Sequence, residues 1–168
     1  MPATPDAFDQ STYQVRLEWG IEGLARLAPA DVIVVVDVLR FSTTVIRALE
    51  DGIESRLDDA RATSINGAVV AAAAAGTGVV LLGALRNASA VAAAARRFGP
   101  RVSVIPAGER WPDGSMRAAL EDWLGAGAIL ARQPAHPLDP FGRPTFARRS
   151  LPPLSRKRLR LHQEGAQP

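Results

Sequence analysis

The clearest pattern in the chain is an unbroken apolar run, Val32-Ile33-Val34-Val35-Val36, inside the segment Asp31–Leu39. Consecutive β-branched residues are typical of a strand that is buried on both faces. Such strands occur in parallel sheets that are covered by helices. The segment therefore predicts a central strand of an α/β fold.

A helix is predicted directly after this strand. Val45, Ile46 and Leu49 have helical spacing, and Gly52 can end the helix at its C′ position. Ser42 and Thr43 are both residue types that favour the N-cap. The pattern therefore predicts a strand–loop–helix unit with a hydroxyl side chain at the start of its helix.

The same alternation continues through residue 130 and predicts a mostly parallel sheet with helices on both faces and right-handed crossovers. We assign residues 1–130 to one α/β domain. Its other predicted strands are Tyr13–Trp19, Val79–Leu82 and Arg101–Ile105, and its other predicted helices are Ile21–Leu27, Gly67–Ala75, Ala88–Phe98 and Ser115–Ile129.

Residues 131–168 have a different composition. Prolines recur through this segment and interrupt every candidate helix. Residues 132–168 carry eight Arg or Lys and two acidic residues, whereas residues 1–131 carry twelve Arg and fifteen acidic residues. We predict a tail with little fixed structure. A basic tail can bind nucleic acid, but this composition is more typical of a solvated tail.

The composition also indicates the cellular compartment of the protein. The absence of cysteine excludes disulfides and suits a reducing cytoplasm, and Met1–Gln10 lacks the layout of a signal peptide. Ile65–Leu85 carries no charge, but it consists mostly of Ala, Gly and Val and is interrupted by Gly76-Thr77-Gly78. We therefore expect a cytoplasmic protein without a membrane span.

Polar residues follow the central strand, at the edge where open parallel sheets bind ligands. Asp37 ends the apolar run, and a buried carboxylate needs a partner. Mg²⁺ is one candidate partner, and Arg40 is another. The free N–H groups at the start of the next helix favour an anion. The pattern fits a metal–phosphate site, and it fits equally an Asp37–Arg40 ion pair beside an ordinary N-cap.

Two further loops carry candidate chemistry. Arg86 can hold a phosphate or a sulfonate, and Asn87 offers both a donor and an acceptor; the alternative is that Asn87 caps a helix and Arg86 is solvated. Glu109 follows the last strand and can reach a metal or act as a general base. Glu121 and Asp122 point about 100° apart on a helix, so at most one should face a site squarely. Two solvated acids are the alternative.

Several familiar catalytic signatures are absent from the sequence. It has no phosphate-binding G-x-x-x-x-G-K-[ST] loop, no G-x-G-x-x-G and no H-E-x-x-H. The only histidines, His136 and His162, lie in the predicted tail. A Ser-His-Asp mechanism is therefore not favoured.

A series of motifs in the chain resembles the 2-phosphosulfolactate phosphatase family. Val34–Thr44 resembles the family's V-D-V-L-R-x-[ST]-T-T segment. The other motifs follow in the family's order, and they are Val15–Gly20, Ser64–Gly67, Leu85–Ala88, Ala107–Arg110 and Ala119–Ile129.

The resemblance implies hydrolysis of 2-phospho-3-sulfolactate, or of a related small phosphorylated or sulfonated anion, with Mg²⁺. It places Asp37, Glu121 and Asp122 near the metal, and we expect Asp37, Arg40, Glu109 and Glu121 to be catalytic. It leaves open whether an acid or water attacks phosphorus; we favour magnesium-assisted attack by water. Whether the protein forms a homodimer is also left open. The residues expected around the anion are Arg40, Ser42, Thr43, Thr44, Asn66, Gly67 and Asn87, to which the loop pattern adds Arg86.

The chain departs from the family in two places. Family members have a longer middle segment with a further strand, and Ile53–Thr63 is a poor match for it. The basic tail replaces additional helical sequence. Three functions therefore remain open: an active phosphatase, an inactive homologue that binds an anion or only folds, and an interaction module that uses the tail.

Overall fold

The computed structural model of the protein describes residues 8–53 and 64–133. Residues 54–63 and 134–168 lie outside the described residues. The predictions of a shortened middle segment and of a tail with little fixed structure therefore stay predictions.

The described residues form an α/β fold built on a four-stranded, fully parallel sheet, which confirms the predicted fold class. The sheet has the strand order β1-β4-β2-β3, so the valine-rich strand β2 is paired on both sides. Its strands are β1 (Val15–Leu17), β2 (Val32–Val36), β3 (Val79–Gly83) and β4 (Val102–Pro106).

Five α-helices accompany this sheet in the described residues. A 3₁₀ turn, Leu85–Asn87, follows β3, and a small antiparallel hairpin of β5 (Glu109–Arg110) and β6 (Met116–Arg117) follows β4. The helices are α1 (Gly20–Arg26), α2 (Phe41–Glu50), α3 (Gly67–Ala74), α4 (Ala88–Phe98) and α5 (Leu120–Leu130).

The two faces of the sheet bury separate apolar clusters. Ile33 and Val35 pack on the side of α1, α2 and α3, whereas Val32, Val34 and Val36 pack on the side of α4 and α5. All five side chains of β2 are buried. Because burial of each such side chain stabilises the fold by about 1.5–3 kcal/mol, this strand is the centre of the core.

A close approach between α5 and β2 sets the position of the functional residues. A Cβ added to Gly125 would lie 2.9 Å from Val36 Cγ1 and 3.0 Å from Val38 Cγ2. Only glycine therefore allows this spacing. The contact brings the first turn of α5, with its two acidic residues, to the carboxyl end of β2.

Three sequence predictions are wrong in detail. The predicted helix Ser115–Ile129 begins only at Leu120, because Met116 and Arg117 pair with the residues after β4. Ser42 and Thr43 do not cap α2; Arg40 is at the N-cap and both hydroxyls lie inside the helix. The predicted first strand is shorter, at Val15–Leu17.

None of the helices within the described residues is long and apolar enough to cross a membrane.

Candidate functional site

A polar cavity of about 180 Å³ lies at the carboxyl ends of β2 and β4, where α5 begins. This is the edge at which open parallel sheets bind ligands. Four of its lining residues are acidic and one is an arginine. The cavity is lined by Asp37, Leu39, Arg40, Ser64, Ile65, Asn66, Gly108, Glu109, Glu121 and Asp122.

Asp37 is buried, with 5% of its surface exposed, and its carboxylate joins the starts of two helices. Oδ1 accepts a hydrogen bond from the Phe41 N–H of α2 (3.1 Å), and Oδ2 accepts one from the Gly67 N–H of α3 (3.0 Å). The Ser64 hydroxyl also donates to Oδ2 (2.8 Å). A carboxylate has about four lone-pair sites, so these donors use most of its capacity.

Helix N-termini attract anions, and here Asp37 itself provides the anion for both. The N–H group at the start of α2, which the sequence pattern predicts as part of a phosphate site, is therefore already hydrogen-bonded to the Asp37 carboxylate. Arg40 is exposed, and no Asp37–Arg40 ion pair occurs within residues 8–53 and 64–133. The arrangement thus differs from the ion-pair alternative as well.

The position of this carboxylate requires glycine at residue 67. A Cβ at Gly67 would lie 2.5 Å from Asp37 Oδ2 and 2.6 Å from Asp37 Cβ. Such contacts are too short for any side chain to adopt without a shift of the backbone. Glycine here therefore lets the first N–H of α3 approach the carboxylate.

Asp122 lines another side of the cavity, and only 3% of its surface is exposed. Its Oδ1 accepts a hydrogen bond from the Val38 N–H (2.7 Å), and its Oδ2 accepts one from the Gly108 N–H (2.9 Å). Burial raises the pKa of Asp122 to about 6, which the two N–H donors partly oppose; the negative charges of Asp37 and Glu121 raise the pKa further. Asp122 therefore clamps the loop after β2 to the loop after β4.

The remaining polar residues of the cavity are more accessible. Glu109 and Glu121 are half-buried, and Arg40 is exposed. Asn66 Nδ2 donates to Glu109 Oε2 at 3.4 Å, a long hydrogen bond across the cavity. Both adjacent acids of α5 line the cavity, but Asp122 is turned into the wall and Glu121 is nearer to solvent. The accessible groups are thus two carboxylates, one guanidinium and one amide.

The other predicted anion-binding residues do not line this cavity. Ser42 is fully buried, and its hydroxyl accepts from the Asp37 N–H (3.2 Å) and donates to the Val35 carbonyl (3.4 Å). The Thr43 hydroxyl donates to the Val38 carbonyl (2.7 Å). Thr44 is exposed on α2. These hydroxyls support the loop after β2, and their predicted contact with substrate stays a prediction.

Arg86 and Asn87 also lie outside the cavity lining. Arg86 forms a surface ion pair with Glu50 at 2.9 Å. Asn87 Oδ1 accepts from the Ala84 N–H (2.8 Å), and its Nδ2 donates to the Leu82 carbonyl (2.9 Å). Asn87 therefore closes the turn after β3 with backbone hydrogen bonds.

Two cavity residues with hydrogen bonds to the buried carboxylates, Ser64 and Gly108, were not predicted individually from the sequence. Ser64 bonds Asp37 and also accepts from the N–H groups of Asn66 (3.3 Å) and Gly67 (3.1 Å). Its place two residues before Asn66, in a Ser-x-Asn-Gly turn, is the signal that could have identified it. Gly108 has a positive φ of 67°, and only its neighbours Ala107 and Glu109 in the motif indicated its position.

The oxygen ligands in the cavity suit a hard cation. No group of three or more His, Cys, Asp or Glu positioned to hold a metal occurs in the described parts of the chain. Mg²⁺ does not require three, because it usually keeps several waters and binds through one or two carboxylates plus substrate phosphate. The carboxylates of Glu109, Glu121 and Asp122 fit that sparse coordination better than Asp37, whose oxygens accept three hydrogen bonds.

Comparison with known proteins supports the motif-based resemblance. A family model described as 2-phosphosulpholactate phosphatase matches residues 58–137. Searches among curated proteins and among solved structures gave no significant match. The matched range contains Asn66, Glu109, Glu121 and Asp122 of the cavity, whereas Asp37 and Arg40 precede it. Residues 58–137 are thus similar to the 2-phosphosulpholactate phosphatase family, in agreement with the resemblance that the motifs carry.

Proposed function

We propose that the chain is a Mg²⁺-dependent phosphatase that hydrolyses a small phosphate monoester, such as 2-phosphosulfolactate, in the cavity at the ends of β2 and β4. The observation that carries the proposal is the meeting of Arg40, Glu109, Glu121 and Asp122 around one cavity. The family match over residues 58–137 supports phosphatase chemistry for this region.

The charges of the cavity support a cation in addition to the substrate. Among the described residues, four carboxylates and one arginine line it, so an anionic substrate alone would be repelled. Glu121 and Asp122 would hold the ion, which would supply positive charge beside the phosphate. Burial is the main cause of the rise in the pKa of Asp122 to about 6, and the charges of Asp37 and Glu121 add to that rise, which is consistent with uncompensated negative charge at this place.

The residues of the chain then have separate roles. Arg40 binds the phosphate or the sulfonate through charge-assisted hydrogen bonds. Glu109 removes a proton from the attacking water as its oxygen bonds to phosphorus, and the ester oxygen leaves and takes up a proton. Asn66 orients Glu109 through its amide. Asp37 acts indirectly, since its hydrogen bonds hold the starts of α2 and α3. Asp122 would contribute to holding the ion and also joins the two loops through its hydrogen bonds to Val38 and Gly108.

An inactive, anion-binding homologue is the second candidate function. It is favoured by the hydrogen bonds that occupy Asp37 and Asp122, because oxygens bonded to N–H donors are poorer metal ligands. This candidate predicts stabilisation of the fold by phosphate or sulfonate without turnover.

Phosphate release from 2-phosphosulfolactate, measured with Mg²⁺ and with EDTA, tests the proposal. Glu109→Gln should lower kcat by about 10²–10⁴-fold, the usual contribution of a general base. The matched control is Asp51→Asn, an exposed acid at the end of α2. Turnover that persists in EDTA would reject metal dependence, and equal turnover in the two variants would reject the role of Glu109.

A thermal-shift titration separates the two candidates. Stabilisation by phosphate together with Mg²⁺-dependent turnover supports the phosphatase. Stabilisation without turnover supports the inactive homologue, and the absence of both removes the cavity as an anion site.

A further inference from the structure

A second cavity, of about 280 Å³, lies between α1 and α3 over one face of the sheet. Ile33 and Ser103, near the starts of β2 and β4, contribute to it, so it is at the opposite end of the strands from the polar cavity. Exposed alanines of α1 and α3, Ala25 and Ala73, lie at its opening. The lining is Ile21, Leu24, Ala25, Leu27, Ala28, Pro29, Ala30, Ile33, Ala73, Thr77 and Ser103.

The lining selects for a neutral ligand. None of the described residues that line it carries a charge, so an ionic ligand would lose its hydration without gaining a counter-charge. Its volume is slightly below the range of about 300–1,000 Å³ that is usual for ligand pockets. The cavity therefore suits a small molecule with an apolar body.

Ser103 adds a polar group whose bonding is incomplete. It is 2% exposed, and its Oγ has no hydrogen-bond partner in the described structure. In the sheet it lies between Arg16 of β1 and Ile33 of β2, and the guanidinium of Arg16 donates to the backbone carbonyls of Tyr13, Ala28 and Pro29. Buried hydroxyls in proteins are nearly always hydrogen-bonded, so this one indicates a partner that is not part of the fold.

We propose that this cavity binds a small neutral molecule whose apolar body packs against α1 and α3 and whose oxygen accepts a hydrogen bond from Ser103 Oγ. The hydroxyl can rotate to direct its hydrogen at such an acceptor. The Thr77 hydroxyl already donates to the Ala74 carbonyl at 2.8 Å, which leaves Ser103 as the side-chain donor within the part of the lining that the structure describes. This site is independent of the proposed phosphatase activity.

Two shape-matched probes test the site in the full-length, ¹⁵N-labelled protein. Cyclohexanone carries a carbonyl acceptor, and methylenecyclohexane lacks it. Amide chemical shifts of α1, α3 and β4 report binding. Ser103→Ala removes the donor and keeps the cavity. Ala73→Phe and, as a second blocking variant, Ala25→Phe fill the opening from exposed helix positions that should tolerate the change.

We expect cyclohexanone to bind saturably, and about twofold to tenfold more weakly to Ser103→Ala, the usual effect of one neutral hydrogen bond. Methylenecyclohexane should bind wild type and Ser103→Ala equally, and both blocking variants should bind neither probe. The proposal is overturned if no saturable shift appears, or if binding survives both blocking variants. It is also overturned if cyclohexanone binds Ser103→Ala as well as wild type, because water is then the partner of the hydroxyl.

Discussion

Replacement of Asp37 by alanine should destabilise the protein strongly, because Asp37 joins α2 and α3 at their first turns. The Phe41 N–H would lose its acceptor, at a cost of about 1–3 kcal/mol for a buried, unsatisfied group. The Gly67 N–H would keep one acceptor, since Ser64 Oγ is 3.1 Å away. The bonds lost by Gly67 and Ser64 are therefore worth about 0.5–1.5 kcal/mol each.

These contributions predict a decrease of about 2–6 kcal/mol in the free energy of unfolding. Urea denaturation followed by circular dichroism measures it. Asp51→Ala, which removes an exposed acid at the other end of α2, is the control and should change the free energy by less than about 0.5 kcal/mol. An Asp37→Ala protein as stable as the control would refute the role of the carboxylate in holding the two helices.

Three further predictions follow from the same structure. In metal-free protein, the raised pKa of Asp122 means that the folded state binds more protons than the unfolded state between the ordinary value of 3.8 and about 6. Stability should therefore fall by up to about 3 kcal/mol as pH rises through this window, and Asp122→Asn should lack that component in denaturation curves measured across it. Gly127→Ala should raise the free energy of unfolding by about 0.5–1 kcal/mol, because a Cβ there meets nothing within 4 Å. Gly125→Ala should lower the free energy of unfolding by about 1–3 kcal/mol through overpacking. Urea titrations in which both substitutions change the stability in the same direction would contradict the packing of α5. Arg40→Ala should lower kcat/KM by about 10–150-fold, which is the contribution of a charge-assisted hydrogen bond. The control is Arg97→Ala, which removes an exposed arginine of α4 and should leave the steady-state kinetics unchanged. Equal effects of the two substitutions would show that Arg40 does not contribute to the site.

The sheet could be predicted because its signals are local. The apolar run Val32–Val36 coincides with the observed β2, which is shorter than the predicted segment Asp31–Leu39. Consecutive β-branched residues are typical of a strand that a covered sheet buries on both faces. Gly52 also ends α2 as predicted, with a positive φ of 75°. The β5–β6 hairpin was not predictable, because two-residue strands have no measurable periodicity.

The start of α2 was mispredicted because the sequence rule favours the nearest hydroxyl. Ser42 and Thr43 are good caps in isolation, but burial of Phe41 brings both residues into the helix. The acceptor for the first N–H then comes from Asp37, four residues earlier. Tertiary packing thus replaced the local cap with a carboxylate that also reaches α3.

The meeting of Asp37, Glu109 and Glu121 at one cavity follows from the rule that ligand sites form at the carboxyl ends of parallel strands. The hydrogen bonds of Asp122 do not follow from that rule. They join residues that are 84 and 14 positions apart, to Val38 and Gly108, and no local pattern encodes them. The sequence therefore predicted part of the group of residues that lines the cavity, but not which of them are already hydrogen-bonded to the backbone.

The most direct measurement is a crystal structure of the protein soaked with Mn²⁺, as an anomalous substitute for Mg²⁺, together with vanadate as a phosphate analogue. We predict anomalous density beside Glu121 and Asp122 in the polar cavity, with vanadate within hydrogen-bond distance of Arg40. Density at another place in the structure, or an empty cavity in a protein that still releases phosphate, would contradict it.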